Sequence, residues 1–214
     1  MTISGSRGNA VFRKEVAAVE WNDWKWQFRN RIRSLGQLAA LQGCPVSDLA
    51  SCEPVLRTYP VAITPYYLSL LDSTDEKDPL RRQCFPDPRE VTFSLGGVPD
   101  PLDEERFMPL PGLIRRYSDR CLAMVTGTCA LYCRHCNRKR LWLAEKSGTG
   151  WGKLKRMVDF VARTPSLREV IVSGGDPLMI PEPLLDRFLE ALREIPHLEV
   201  LRIGSRVPVT MPMR

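Results

Sequence analysis

Cys129-Ala-Leu-Tyr-Cys133-Arg-His-Cys136 sets three thiols on one short stretch with the spacing C-x3-C-x2-C. Thiolates are ligands for soft metals and for iron–sulfur clusters, and such a cluster is normally held by four cysteines. Three grouped thiols would hold three corners of a cubane and leave one iron open to another ligand. An open iron suggests a reactive cluster more than an electron store. Zinc is the competing reading, but a structural zinc wants four ligands, and His135, between Cys133 and Cys136, is awkwardly spaced for joint ligation. Coincidental spacing is the third. Cys121 sits in the apolar run Cys121-Leu-Ala-Met-Val-Thr126 and reads as a small packed hydrophobe. Cys44, Cys52 and Cys84 have no partner spacing. An odd count of 7 cysteines argues against a disulfide framework.

Two further segments carry chemical groups. Ser173-Gly-Gly-Asp-Pro-Leu-Met179 has paired glycines, Gly174 and Gly175, that let a ligand approach the backbone, and Asp176 could accept a hydrogen bond from an amino group. A plain strand-to-helix turn explains these residues about as well. In Arg115-Arg-Tyr-Ser-Asp-Arg120, Arg116 and Arg120 flank Tyr117. Two guanidinium forks and an aromatic could bind a phosphate and stack on a flat ring. A solvated basic turn is the plainer alternative.

These groups need elements to position them. Residues 1–10 read as a loose tail. Trp21, Trp24, Phe28, Ile32 and Leu35 recur at helical steps and predict one amphipathic helix over 17–35. Thr64 as N-cap and Pro65 at the first helical position predict a second helix through Leu71. The prolines and acids of 72–113 predict an extended wrap without helix. From 121 onward, strands at 121–127, 169–173 and 198–203 alternate with helices at 151–163 and 182–195. That alternation predicts an α/β fold of parallel, right-handed βαβ units. Loops at the C-terminal ends of parallel strands build active sites, and the cysteine loop and the Gly174-Gly175-Asp176 loop both follow strands. Domains are expected at 1–113 and 114–214. Three strands leave a hydrophobic edge open, so the chain is expected to be a piece of a longer protein that supplies further βα units.

The bulk composition bounds the reading. The chain has 214 residues, 43% hydrophobic and 26% charged, an ordinary globular balance. No apolar run reaches the length of a membrane span. The first residues lack the apolar centre of a signal peptide, and a reducing cytoplasm is expected. The net charge of +6 is concentrated around 114–120 and 134–140, where only Tyr117 and Tyr132 could stack on bases. Nucleic acid is thus the lesser reading of the charge. A non-catalytic metal-binding module with a basic face for RNA remains the alternative from a different class.

The cysteine spacing resembles the signature of radical S-adenosylmethionine enzymes. A wider set of segments resembles the N-terminal half of the lysine 2,3-aminomutase family: Trp21-Asn-Asp-Trp-Lys-Trp-Gln27, Ala62-Ile-Thr-Pro-Tyr-Tyr-Leu-Ser-Leu70, Pro111-Gly-Leu113, Tyr132-Cys-Arg-His-Cys136 and Ile203-Gly-Ser-Arg206. The resemblance implies a TIM-type (β/α) barrel, truncated after about three strands and preceded by a helical region. It implies a [4Fe-4S] cluster on Cys129, Cys133 and Cys136, with S-adenosylmethionine on the open iron and Gly174, Gly175 and Asp176 at its amino end. It implies pyridoxal 5'-phosphate against Arg116, Tyr117 and Arg120, and a substrate carboxylate on Arg138. The implied reaction moves an amino group from C2 to C3 of an amino acid through a 5'-deoxyadenosyl radical, most simply on L-lysine. Glutamate, arginine, or lysine destined for elongation-factor modification are the alternatives, and the Pro177 variant of the Gly-Gly-Asp loop occurs among such relatives. An electron donor such as flavodoxin or ferredoxin and a homo-oligomeric full-length protein are implied as well. The Schiff-base lysine is expected beyond Arg214, leaving no catalytic group within this chain.

Overall fold

The structure, a computed structural model, describes residues 16–42, 46–72, 75, 77–92, 97–142 and 149–214. Cys44 and the tail at 1–10 lie outside the described residues. The chain forms two compact units. One comprises Met1–Gly97, Ala130–Cys136 and Val207–Arg214; the other comprises Val98–Cys129 and Asn137–Arg206. Where the sequence suggests one boundary at 113/114, the chain passes between units four times, at 97/98, 129/130, 136/137 and 206/207.

The first unit is helical. The single helix expected over 17–35 is instead two short ones, α1 (Ala18–Trp21) and α2 (Trp24–Arg29). The break falls at Asn22-Asp23, where the Asp23 carboxylate accepts the Lys25 N–H at 2.8 Å and caps α2. Short polar side chains compete with helix continuation by this kind of local bond. Beyond Arg29, Ile32 bridges Ile63 antiparallel, and α3 (Leu35–Gln42) begins where the expected helix ends. The apolar spacing was real, but Ile32 reaches the core from an extended backbone. Gln27, fully buried, ties the pieces together: its Nε2 donates to the Trp21 carbonyl at 2.9 Å and its Oε1 accepts the Tyr66 N–H at 2.8 Å.

Helix α4 (Glu53–Thr58) precedes α5 (Pro65–Leu68), whose Thr64 cap accepts the Tyr67 N–H at 3.2 Å as expected. This helix stops at Leu68, short of Leu71. Thr64 also donates to the Thr210 carbonyl at 2.5 Å, fastening the final helix Val207–Thr210. The stretch 72–113 is not free of helix. It holds 3-10 turns at Arg81–Gln83 and Glu105–Phe107, and α6 (Arg89–Thr92). Asp78 starts the first by accepting the Leu80 and Arg81 N–H groups at 2.6 and 3.0 Å. Proline blocks helix interiors but is tolerated at their starts, and Pro88 directly precedes α6.

The second unit is α/β. Among the described residues, β1 (Leu113–Ile114), β2 (Arg120–Thr126), β3 (Glu169–Gly174) and β4 (Val200–Ile203) form an open sheet in the order β1-β2-β3-β4. Strands β2, β3 and β4 are parallel, as expected, and β1 pairs antiparallel with β2. The sheet is therefore mixed and not closed. At two residues, β1 is too short to show a period in sequence. The crossover helices α7 (Trp151–Ala162) and α8 (Glu182–Arg193) bury Leu154, Met157 and Val161, and Leu185, Phe188 and Leu192. Those i, i+3, i+7 stripes share one core with Ala123, Val125, Val170 and Val172, so both helices cover the same face of the sheet. Each fully buried large side chain contributes about 1.5–3 kcal/mol. The apolar face of each helix therefore fixes its strand's register: a one-residue slip would turn Val170 and Val172 away from the core.

Candidate functional site

The Cys133–Cys136 segment belongs to the helical unit and is held by its neighbours in sequence. Leu131 is buried in that unit's core and Cys133 packs against it. The Tyr132 N–H donates to the Ala62 carbonyl at 3.0 Å, the Arg134 N–H to the Gln83 carbonyl at 2.8 Å, and the Cys136 N–H to the Cys133 carbonyl at 2.9 Å. The Arg134 side chain, 5% exposed, makes the strongest anchor. Its Nε and Nη2 meet the two Glu90 oxygens at 2.8 and 2.7 Å, and Nη1 donates to the Pro60 carbonyl at 3.0 Å. The sequence places Arg134 in the basic cluster at 134–140, and the structure gives it a scaffolding part. Nothing in its local pattern marks that difference, because Glu90 and Pro60 are distant in sequence.

Cys129 belongs to the sheet unit, just beyond β2. There the Thr128 N–H donates to the Thr126 hydroxyl at 3.1 Å. The backbone of 126–128 is bonded to the loop after β3: Gly175 N–H to the Thr126 carbonyl at 2.6 Å, Asp176 N–H to the Thr128 carbonyl at 2.8 Å. The two loops expected at one end of the sheet are thus joined there. Gly174 adopts φ +120°, a conformation open to glycine. A Cβ on Gly175 would collide with the Thr128 carbonyl and lie 2.7 Å from the Gly127 carbon. The paired glycines serve this backbone-to-backbone approach.

Asp176 is 6% exposed and is built into the site's frame. Its Oδ1 accepts the Leu178 N–H at 3.1 Å and the Ser205 hydroxyl at 2.8 Å, and its Oδ2 accepts the Arg206 N–H at 2.7 Å. One carboxylate thus ties the loop after β3 to the loop after β4. Ser205 and Arg206 had been noted only as part of a resembling segment.

Arg138, expected to meet a substrate carboxylate, meets one from its own chain. Its Nε lies 2.9 and 3.0 Å from the Glu104 oxygens and its Nη2 2.6 Å from Oε1. Arg140 Nη2 donates to the other Glu104 oxygen, Oε2, at 2.7 Å and pairs with Asp100 at 3.2 Å. Glu104 is 4% exposed, a buried acid between two guanidinium groups. Sequence reasoning missed it, since the acids of 99–105 look like those of any polar wrap.

Arg116, Tyr117 and Arg120 lie elsewhere. Arg120 opens β2, and the strand rises about 20 Å from there to Thr126. The turn is therefore at the opposite end of the sheet from Cys129 and Asp176. Tyr117 is 60% exposed with the Arg120 guanidinium 5.4 Å over its ring. Arg120 pairs with Asp119 at 3.1 Å, and Arg116 donates to the Leu102 carbonyl and stacks 4.8 Å over Phe107. Both guanidinium groups thus have protein partners.

Cys129, Cys133 and Cys136 are half-buried, whereas Cys121 is buried and its thiol is pushed up to about 12 by desolvation. That marks Cys121 as the inert, core-packed thiol. Among the described residues no three His, Cys, Asp or Glu side chains are gathered closely enough to hold a metal ion. The fit of an iron–sulfur cluster to this chain accordingly rests on donor chemistry, three half-buried thiols with cluster-type spacing.

No family model matches the chain. Individual proteins do, and they are amino-acid aminomutases, a class of isomerase. The chain is 42% identical over 203 residues to L-lysine 2,3-aminomutase of Acetoanaerobium sticklandii, covering 95% of this chain and 49% of the relative. It is 39% identical over 201 residues to L-lysine 2,3-aminomutase of Clostridium subterminale, covering 94% and 48%. Glutamate 2,3-aminomutase of Clostridioides difficile is 35% identical over 195 residues, covering 91% and 46%. The chain is a homologue of the lysine 2,3-aminomutases, and it spans about half the length of these curated relatives.

Proposed function

We propose that this chain is the cofactor-holding part of a radical S-adenosylmethionine 2,3-aminomutase acting on a free amino acid, with L-lysine as that amino acid. The observation that carries the reading is the joining of the two strand-end loops. In a homologue of lysine 2,3-aminomutases, the backbone leading into Cys129 is bonded to Gly175 and Asp176. The open sheet edge at β4 supports continuation by further βα units toward a barrel.

In this reading Cys129, Cys133 and Cys136 supply thiolates to a [4Fe-4S] cluster. When bound with S-adenosylmethionine, that cluster supplies the radical that removes a hydrogen from the amino acid. The chain's own residues do the positioning. Arg134, through Glu90 and the Pro60 carbonyl, keeps the Cys133–Cys136 turn in place. Asp176 fixes the loops after β3 and β4 against each other. Arg138 offers two N–H groups to a carboxylate, which orients an amino acid as well as binding it. Arg116, Arg120 and Tyr117 are assigned to the phosphate and ring of pyridoxal phosphate on their chemistry alone, two guanidinium groups and an exposed phenol, since their turn lies at the other end of β2 from Cys129. An electron donor of the flavodoxin or ferredoxin type completes the reading.

The test is anaerobic reconstitution of the full-length protein with iron and sulfide. About four irons per chain, an electron paramagnetic signal altered by S-adenosylmethionine, and conversion of L-lysine to β-lysine are expected. Tight zinc with no response to S-adenosylmethionine would overturn the reading. Turnover of L-glutamate in place of L-lysine would move the substrate to that of the Clostridioides difficile relative.

A further inference from the structure

We propose that Glu104 is a stand-in carboxylate: it occupies the fork of Arg138 while no amino acid is bound, and passes to Arg140 when a substrate carboxylate takes its place. The proposal rests on the reading of Arg138 as the substrate anchor.

Three observations carry it. First, the Glu104–Arg138 contact uses both carboxylate oxygens against Nε and Nη2, at 2.6 to 3.0 Å. That is the bidentate geometry a guanidinium offers to any carboxylate. Secondly, the pair does not leave Glu104 dependent on Arg138. Arg140 Nη2 already holds Oε2 at 2.7 Å. A buried carboxylate stripped of every cation is strongly disfavoured, but Glu104 would keep one. Thirdly, Arg140 Nη1 is buried and has no hydrogen-bond partner among the described residues. A second donor therefore stands ready beside the first, so Glu104 can make with Arg140 the two-bond contact it gives up with Arg138. The Arg138 side chain is 20% exposed and that of Glu104 5%, so an incoming carboxylate reaches the arginine before the glutamate. With Asp100 included, the cluster balances two cations with two anions. A substrate carboxylate would add the negative charge that the second arginine is placed to share.

The exchange has a consequence for specificity. A ligand without a carboxylate offers nothing to displace Glu104, so it leaves Arg138 closed. The device thus favours free amino acids over amides or peptide-linked residues.

The experiment is phenylglyoxal labelling of Arg138 in the full-length protein, read by peptide mass, with L-lysine and L-lysinamide as probes. Without ligand, Glu104→Gln should label faster than the parent, because the neutral amide holds the guanidinium less strongly. L-lysine should protect Arg138 in both proteins, with half-protection at a concentration about tenfold lower in Glu104→Gln, since the competitor is weakened. L-lysinamide should protect neither. Glu104→Asp, which keeps the charge but shortens the reach, should fall between and guards against a folding artefact. If Glu104→Gln needs more L-lysine than the parent, or an equal amount, Glu104 is a fixed support for Arg138 and the proposal is wrong. If L-lysine protects Arg138 in none of the three proteins, the assignment of Arg138 as the anchor has failed, and the stand-in role falls with it.

Discussion

Arg134 and Arg138 are four residues apart and each meets a glutamate bidentately, yet their surroundings differ in kind. Arg134 divides its donors between Glu90 and main-chain carbonyls of the helical unit. Arg138, in the sheet unit, grips Glu104, which Arg140 also grips. A guanidinium bonded to backbone carbonyls is committed, because those oxygens have nowhere else to go. One bonded to a side-chain carboxylate shared with a second arginine can exchange its partner. The lesson is that arginines beside a cysteine loop are sorted by what else their partners can bond, which burial alone does not reveal.

The largest effect should come from breaking the committed member. Arg134→Ala removes the bidentate guanidinium from a largely covered Glu90 and should cost about 3 kcal/mol in urea unfolding. Arg134→Lys should recover little, because one ammonium cannot span both Glu90 oxygens and the Pro60 carbonyl. Arg138→Ala should cost far less, about 1 kcal/mol, since Glu104 keeps Arg140. Equal losses would erase the distinction.

A third carboxylate sharpens the contrast. Asp176 is held by two backbone N–H groups and a hydroxyl, with no arginine side chain among those bonds. Asp176→Ala should cost about 2–3 kcal/mol and should speed hydrogen exchange at the Leu178 and Arg206 amides. Unchanged exchange at Arg206 would mean that the loop after β4 is held by something else.

The smallest effect belongs to an exposed pair of the same chemical type. The Arg89 hydrogen bonds hold the Asp87 carboxyl at about 2, below its ordinary 3.8. A folded-state value below the unfolded one means the contribution is present above about pH 4 and is lost as pH falls toward 2. Both side chains are well exposed, 65% and 39%, so screening reduces the effect to under about 1 kcal/mol. Asp87→Asn should flatten the acid limb of a stability–pH curve between those values. An unchanged limb would show that the pair contributes nothing.

Much of the sheet unit was legible from residues alone. The stripes Leu154, Met157, Val161 and Leu185, Phe188, Leu192 read as helices covering a parallel sheet, and they are. The local order cysteine loop after one strand, glycine loop after the next, also survived intact. The helical unit was less legible. Trp21, Phe28 and Ile32 have helical spacing, but Asp23 prefers to cap α2, and the bridge to Ile63 holds Ile32 in extended backbone. Within the site, sequence reasoning found Asp176 and Arg138 but attached them to ligands, whereas their partners here are Ser205, Arg206 and Glu104.

By itself the sequence determined the periodic elements, the thiol spacing and the kinship with the lysine 2,3-aminomutases. Those depend on neighbours along the chain, where side-chain period and ligand spacing are written directly. The tertiary structure alone decided which arginine is committed and which is exchangeable, and why Gly175 must lack a side chain. Those depend on partners distant in sequence, 34 residues apart in Arg138–Glu104, 44 in Arg134–Glu90 and 47 in Gly175–Thr128. A buried charge takes its meaning from the group that compensates it, and only folding chooses that group.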